Sequence, residues 1–281
     1  MITILLTGGD MRTVYAAKAL SREYRCLLYG FDKLDESARL NIPLYDGSEP
    51  ADCILLPVNR SGDVIKCPFG SAAALGIGEL PRLRGNGAIM EGSLTSEVGK
   101  LCADNGYAHF AVLGREELAV ANAQLTAEGA LAAATYGTDI SIHGAAVLIL
   151  GFGRIAKLCA RYFAALGANV TCAARKAADL AWAEALGYGT ADITDKVALE
   201  TALRGAEIIL NTVPAPVLTG EPAAAVPPGS VLIELASVPC TDDTAAFRVI
   251  KANGLPGKTA PAAAGRHIAE AVRNILNERG R

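Results

Sequence analysis

Residues 144–180 read GAAVLILGFGRIAKLCARYFAALGANVTCAARKAADL. The apolar run 147–150 predicts a buried strand, and Gly151, Gly153 and Ala156 supply G-x-G-x-x-A directly after it. In that pattern the first glycine permits a tight turn and the second lets backbone approach a pyrophosphate. The third small residue lets the following helix pack close to the strand. Ile155, Leu158, Cys159, Tyr162, Phe163 and Leu166 then recur on one helical face, and Gly167 ends the helix. A second strand, VTCAA, completes a β-α-β nucleotide-binding unit. Phosphates would rest on the helix N-terminus, where unpaired N–H groups favour anions.

The end of that second strand sets the cofactor. An acid there would bind the ribose 2′-hydroxyl of NAD and repel a 2′-phosphate, whereas a guanidinium can pair with the phosphate. The sequence reads AARK, so Arg175 and Lys176 stand where the acid is expected and NADP is the favoured cofactor. Both are also the kind of side chain found as solvated surface cations; position singles out Arg175 more than Lys176. Arg154 and Ile155 open the fingerprint helix, and Asn211, Thr212, Val213 and Pro214 leave a later strand along the edge that borders the dinucleotide in such folds. Ser237, after ELA, is placed to reach the nicotinamide region or serves as a strand-end turn serine.

Working outward, strand-like runs alternate with helical patterns along the whole chain, which predicts a parallel α/β architecture of two Rossmann-like domains. The first half offers ITILLTGG, a helix over DMRTVYAAKALSRE, then YRCLLYG, ADCILLPV and GAIMEGS. The helical TSEVGKLCADNG and a further short strand near Val120 follow. An alanine-rich helix from Thr126 leads into the second half. The last helix carries Ile268, Val272, Ile275 and Leu276 on one stripe, as expected of a segment crossing back to cover the other domain. The expected boundaries are 1–124 plus 262–281 for a substrate-side domain and 125–261 for the NADP domain with its linking helix.

The 281 residues are 51% hydrophobic, enough for two cores, and the formal net charge of −3 offers no case for nucleic acid or an anionic membrane. The 7 cysteines are scattered, with no C-x-x-C pair, and the 3 histidines are equally dispersed. Reduced thiols in a cytoplasmic protein are the expectation, with no metal site. MITILLTGGD lacks a basic n-region and reads as a first strand; no apolar run has the length of a membrane span.

GGDMR, ILLPV, TAEG, TDISIHGAAVLILGFGRIA, AALGANVTCAAR, NTVPAPVL, ELAS and LPGKTAPAAAG together resemble the dipicolinate synthase A-subunit family, over nearly the whole chain. The resemblance implies a nucleotide domain akin to those of 2-hydroxyacid dehydrogenases. It also implies oxidation of a dihydrodipicolinate to dipicolinate with a partner B subunit, in the mother cell of a sporulating bacterium. Where the family has a basic, glycine-rich stretch after LAS, this chain has VPCTDD with Val238 and Cys240, and the helix before FRVIK is cut to about DDTAA.

A dicarboxylate substrate needs cations or N–H groups, and aromatisation leaves the protein mainly orientation and charge matching. Arg12, after GGD at the end of the first strand, is the first expectation for a carboxylate clamp, with Asp10 orienting it or capping the helix. Asn59 and Arg60 follow ILLPV at another strand end, where open α/β sheets bind ligands. Thr126 is read as a helix N-cap or a carboxylate ligand, with Glu128 beside it. Lys258 in LPGKTAP is a carboxylate partner or proton acceptor, and His143 is structural. Two competing readings are another NADP-linked dehydrogenase of small carboxylates and a non-catalytic cofactor-binding subunit. The hydroxyacid version lacks a late His–acid pair, since His267 lies on the terminal helix. A homo-oligomer is compatible with either reading.

Overall fold

The computed structural model describes residues 1–60, 62–241 and 246–279. The chain divides into two compact units, Met1–Asn122 with Ala260–Arg281, and Ala123–Thr259.

In the first unit the chain runs β1 (Thr3–Thr7), α1 (Met11–Leu20), β2 (Arg25–Tyr29), β3 (Ala51–Leu55), a small hairpin of β4 (Val64–Lys66) and β5 (Ala74–Gly76), and a 3-10 helix (Ile77–Leu83). It continues through β6 (Arg84–Glu91), α2 (Ser96–Asn105), β7 (Ala108–Ala111) and the start of α3 (Glu116–Gly137), a helix that belongs to the second unit from Ala123 on. Five strands form one parallel sheet in the order β2-β1-β3-β6-β7. The order reverses beside β1, so the C-terminal ends of β1 and β3 flank a switch point, the place where open α/β sheets leave a crevice. Burial on both faces explains the unbroken apolar run of β1. Ile4 and Leu6 enter one core with Val14, Leu20, Ile268, Val272 and Ile275. Leu5 enters the opposite core with Ile54, Ile65, Ile89 and Val98.

In the second unit β8 (Ala146–Leu150), α4 (Arg154–Ala165), β9 (Asn169–Ala174), α5 (Ala177–Ala185), β10 (Gly189–Asp192) and α6 (Lys196–Arg204) are followed by β11 (Ile208–Asn211), α7 (Glu221–Ala224), β12 (Val231–Glu234), β13 (Arg248–Lys251) and α8 (Leu255–Thr259). The six parallel strands take the order β10-β9-β8-β11-β12-β13, the doubly wound arrangement of dinucleotide-binding domains. Its switch point falls between β8, which ends at the fingerprint, and β11, which ends at Asn211.

The helix α9 (Pro261–Arg279) returns to the first unit and packs along α1. The stripe read from the sequence is the buried one: Ile268, Val272, Ile275 and Leu276 are all under 9% exposed. Each such side chain contributes about 1.5–3 kcal/mol by leaving water. Arg115 ties the start of α3 to α9, donating to both carboxylate oxygens of Glu278 and to Glu117 Oε1.

Two local expectations are corrected. Val120 lies inside α3, and the strand of this region is β7, ten residues earlier. Thr126 also lies inside α3, which starts at Glu116, so it does not cap a helix. Glu116 and Glu117 in the first turn favour the positive end of the helix dipole, and Ala, Leu and Gln then sustain it past the Val120 and Thr126 that suggested a strand and a restart. Much of the DDTAA segment, 242–245, lies outside the described residues. Among those described, no helix is long and apolar enough to cross a membrane, and no group of three or more His, Cys, Asp or Glu could hold a metal ion.

Candidate functional site

The second unit carries a nucleotide cradle. Gly151 has φ +98°, and a Cβ there would sit 2.5 Å from Thr212 Oγ1. The turn after β8 and the edge after β11 are therefore closed on each other. Thr212 reinforces this contact by donating its hydroxyl to the Leu150 carbonyl at 2.8 Å. A Cβ on Gly153 would meet nothing within 4 Å, which leaves room for a ligand against the backbone. Gly153 also caps α4 without a side-chain hydrogen bond, at the positive end of the helix, which favours a phosphate. Ala156 is fully buried where the helix meets the sheet. Arg154 is exposed and Ile155 half-buried on the first turn. This set fits a dinucleotide.

Strand β9 lies beside β8 and ends at Ala174, so Arg175 and Lys176 follow in the next positions, both exposed. Neither makes an ion pair among the described residues, and the positions directly after β9 hold no acid; Lys176 provides the backbone cap of α5.

Asn211 and Glu234 form a support that the sequence reading did not find. Asn211 is fully buried; its Nδ2 donates to Glu234 Oε1 at 2.6 Å and to the Val213 carbonyl, while its Oδ1 accepts from Val213 N. Glu234, also buried, accepts from the backbone N–H groups of Ala236 and Cys240. Asn211 thus shapes the Thr212–Pro214 edge from beneath, and Glu234 shapes the loop that presents Ser237, which is exposed. Burial and the neighbouring Glu234 carboxylate push the Cys240 thiol up from its ordinary range. The available signal was an acid closing an apolar strand, VLIE.

The first unit carries a polar cavity at its own switch point. Gly8, with φ +49°, has the Lys66 carbonyl 2.5 Å from where a Cβ would stand, and Gly9 N donates to that carbonyl at 2.8 Å. These contacts seat the β4–β5 hairpin on the turn after β1. Asp10 caps α1 through Arg12 N and receives Nε and Nη2 of the Arg12 side chain at 2.9 and 2.8 Å, a bidentate pair. Arg12 and Asn59 line one pocket, closed from beside by Ile268. Asn59 and Arg60 also line a neighbouring cavity of about 230 Å³.

Behind this wall lies a second buried acid. Arg60 Nη2 donates to Glu91 Oε2 at 2.6 Å and to Thr95 Oγ1 at 2.7 Å, and both ion-pair side chains are almost wholly buried. Glu91 Oε1 accepts from Thr95 N and from His109 Nε2, the ring nitrogen that must carry the proton to satisfy an ionised carboxylate. Glu91 ends the apolar run of β6 as Glu234 ends that of β12.

The remaining expected residues are dispersed. Thr126 is buried within α3 and Glu128 exposed on the same helix, two positions apart, where Gln124 Nε2 donates to Glu128 Oε1. Lys258 is exposed on α8. His143 lies against Gly167 at the N-terminal end of β8, with Nδ1 3.3 Å from the Leu166 carbonyl.

Fold and cradle together define a nicotinamide-dependent oxidoreductase: residues 116–259 match the family described as D-isomer specific 2-hydroxyacid dehydrogenase, NAD binding domain. The full length narrows this further, and the chain belongs to the dipicolinate synthase A-subunit family. It is 30% identical over 290 residues to the A subunit of dipicolinate synthase from Bacillus subtilis (strain 168), covering 99% of this chain and 96% of the relative. The crystal structure of the Bacillus halodurans A subunit superposes with a TM-score of 0.85 at 28% identity, over 98% of this chain and 97% of that one. That of the Bacillus subtilis protein gives 0.84 at 28% identity, over 99% and 96%.

Proposed function

We propose that this protein oxidises dihydrodipicolinate to dipicolinate with NADP, acting on a ring CH–CH bond and working with a B subunit in the mother cell during sporulation. The observation that carries the reading is likeness to the A subunit of dipicolinate synthase across 99% of the chain, which includes motifs outside the nucleotide cradle. NADP is favoured over NAD because Arg175 and Lys176 occupy the positions directly after β9 where an acid would bind the ribose of NAD.

When bound, the nicotinamide ring supplies a hydride acceptor. Gly151, Gly153, Arg154 and Ile155 would hold the pyrophosphate, Arg175 and Lys176 the 2′-phosphate, and Thr212, Val213, Pro214 and Ser237 the edge toward the reactive ring, with Asn211 supporting that edge. The substrate loses a hydride from one ring carbon and a proton from its neighbour, and the gain of aromaticity drives the reaction. The protein's work is then orientation, charge matching and exclusion of water. Arg12 and Asn59 would engage a substrate carboxylate in the first unit, Arg12 through the Nη1 that Asp10 does not occupy. Thr126, Glu128 and Lys258 are the second unit's candidates for a carboxylate ligand and a proton acceptor.

The test is turnover of freshly prepared dihydrodipicolinate by the purified chain with NADP, alone and with a B subunit, followed by NADPH absorbance and dipicolinate ultraviolet bands. Formation of both products in equal amounts supports the reading. Turnover of small 2-hydroxy acids instead, or NADPH binding without hydride transfer even with the partner, defeats it.

A further inference from the structure

The cavity of about 230 Å³ at the first unit's switch point is lined by Gly9, Asp10, Pro57, Asn59, Arg60 and Lys66 among others. Its charged groups can be balanced pair by pair. Asp10 is neutralised by the bidentate Arg12. Arg60 is neutralised by the buried Glu91, which also takes His109 Nε2 and Thr95. Lys66 is exposed at the cavity and makes no ion pair among the described residues. One positive charge is therefore left over.

Two further features suit an anion. Arg60 keeps a buried Nε–H with no hydrogen-bond partner, while its Nη2 is taken by Glu91 and Thr95. The volume lies below the roughly 300–1,000 Å³ of pockets for drug-sized ligands, a fit for a small acid. Position is set by backbone: the Lys66 carbonyl accepts from Gly9 N and closes on Gly8, so the β4–β5 hairpin holds the lysine at the turn after β1.

We infer that Lys66 is a substrate-recognition residue, delivered by the β4–β5 hairpin to pair its ammonium with a carboxylate of a small organic acid. Asn59 supplies a neutral donor, and Arg60, held and neutralised by Glu91, forms the wall behind it. The acid's identity as a pyridine dicarboxylate rests on the function proposed above; the anion site does not.

The experiment is calorimetric titration of the full chain, loaded with NADP, with pyridine-2,6-dicarboxylate, malonate and glutarate, using wild type, Lys66→Met and Lys66→Arg. We expect Lys66→Met to weaken pyridine-2,6-dicarboxylate about ten- to hundredfold, the worth of one charge-assisted hydrogen bond, and Lys66→Arg to retain most of the affinity. If malonate or glutarate binds in a Lys66-dependent way while pyridine-2,6-dicarboxylate does not bind at all, the anion site stands and the dipicolinate reading falls. Equal affinities in wild type and Lys66→Met, or no binding of any of the three acids to wild type, overturn the inference.

Discussion

Asp10 holds Arg12 twice: one carboxylate caps α1 through Arg12 N and grips the side chain of the same residue through Nε and Nη2. Replacement by Asn keeps the cap and loses the charge, whereas replacement by Ala loses both. Asp10→Ala should cost about 1–2 kcal/mol for the cap alone and Asp10→Asn clearly less. Urea denaturation midpoints compare them, and identical midpoints for all three proteins would show that the carboxylate does neither job.

Arg175 stands one residue past β9 with no acid as neighbour in the chain. Arg175→Ala should weaken NADP binding about ten- to hundredfold, as loss of one charged pair implies, and leave NAD binding unchanged. Fluorescence titration with both reduced cofactors reads the ratio. A wild type that binds them equally well would refute the assignment of NADP.

Gly151 and Thr212 touch across the switch point of the second sheet. Gly151→Ala places a Cβ 2.5 Å from Thr212 Oγ1 at φ +98°, so the variant should lose about 1–3 kcal/mol of stability from the backbone term alone. Adding Thr212→Ala should recover part of the loss, because it removes the collision and leaves the strained φ. Thermal melts of the two single variants and the double variant decide; strict additivity would mean that the contact is not what forbids a side chain there.

Glu117 binds Arg115 and Asn274 at the base of α9. Arg115's hydrogen bond, followed by a local backbone hydrogen bond and that from Asn274, holds the Glu117 carboxyl down from 4.5 to about 2. A depressed pKa contributes stability that is complete above about pH 4.5 and is lost as the pH falls from 4.5 toward 2. Glu117→Gln should therefore lower the melting temperature at pH 7, and the difference from wild type should close as the pH falls from 4.5 toward 2. An unchanged acid limb would place the carboxyl outside the folding linkage.

Burial pushes the thiols of Cys159 and Cys172 up to about 12. Folding favours their protonated forms, so this contribution is whole below about pH 9 and is lost as the pH climbs toward 12. At pH 8 a disulfide reagent should label neither cysteine in the native protein and both after denaturation, as peptide mapping can read. Rapid native labelling of either one would contradict its burial.

The chain order alone determined a great deal. A strand, a glycine turn with a small third residue and an amphipathic helix are local features with their own periodicities, so 144–180 was legible as a dinucleotide cradle. The doubly wound order of the second sheet accords with that reading. The position of Arg175 directly after β9 was legible because it depends on distance along the chain from the fingerprint, and the α9 stripe because its side chains repeat at helical spacing. Asp10 was legible as a cap, since a cap bonds within its own turn.

What the chain order could not decide were contacts between segments far apart in it. Whether Glu91 and Glu234 are surface acids or buried anchors depends on Arg60, His109, Asn211 and Cys240 arriving from other elements. Thr126 and Val120 misled because a helix begun ten residues upstream absorbs local signals for a strand or a cap. Lys66 carries no signal of its own in the sequence; tertiary packing brings its hairpin onto the Gly8–Gly9 turn. Local propensity is written in neighbouring residues, but charge balance in a cavity is a sum over strands that only folding brings together.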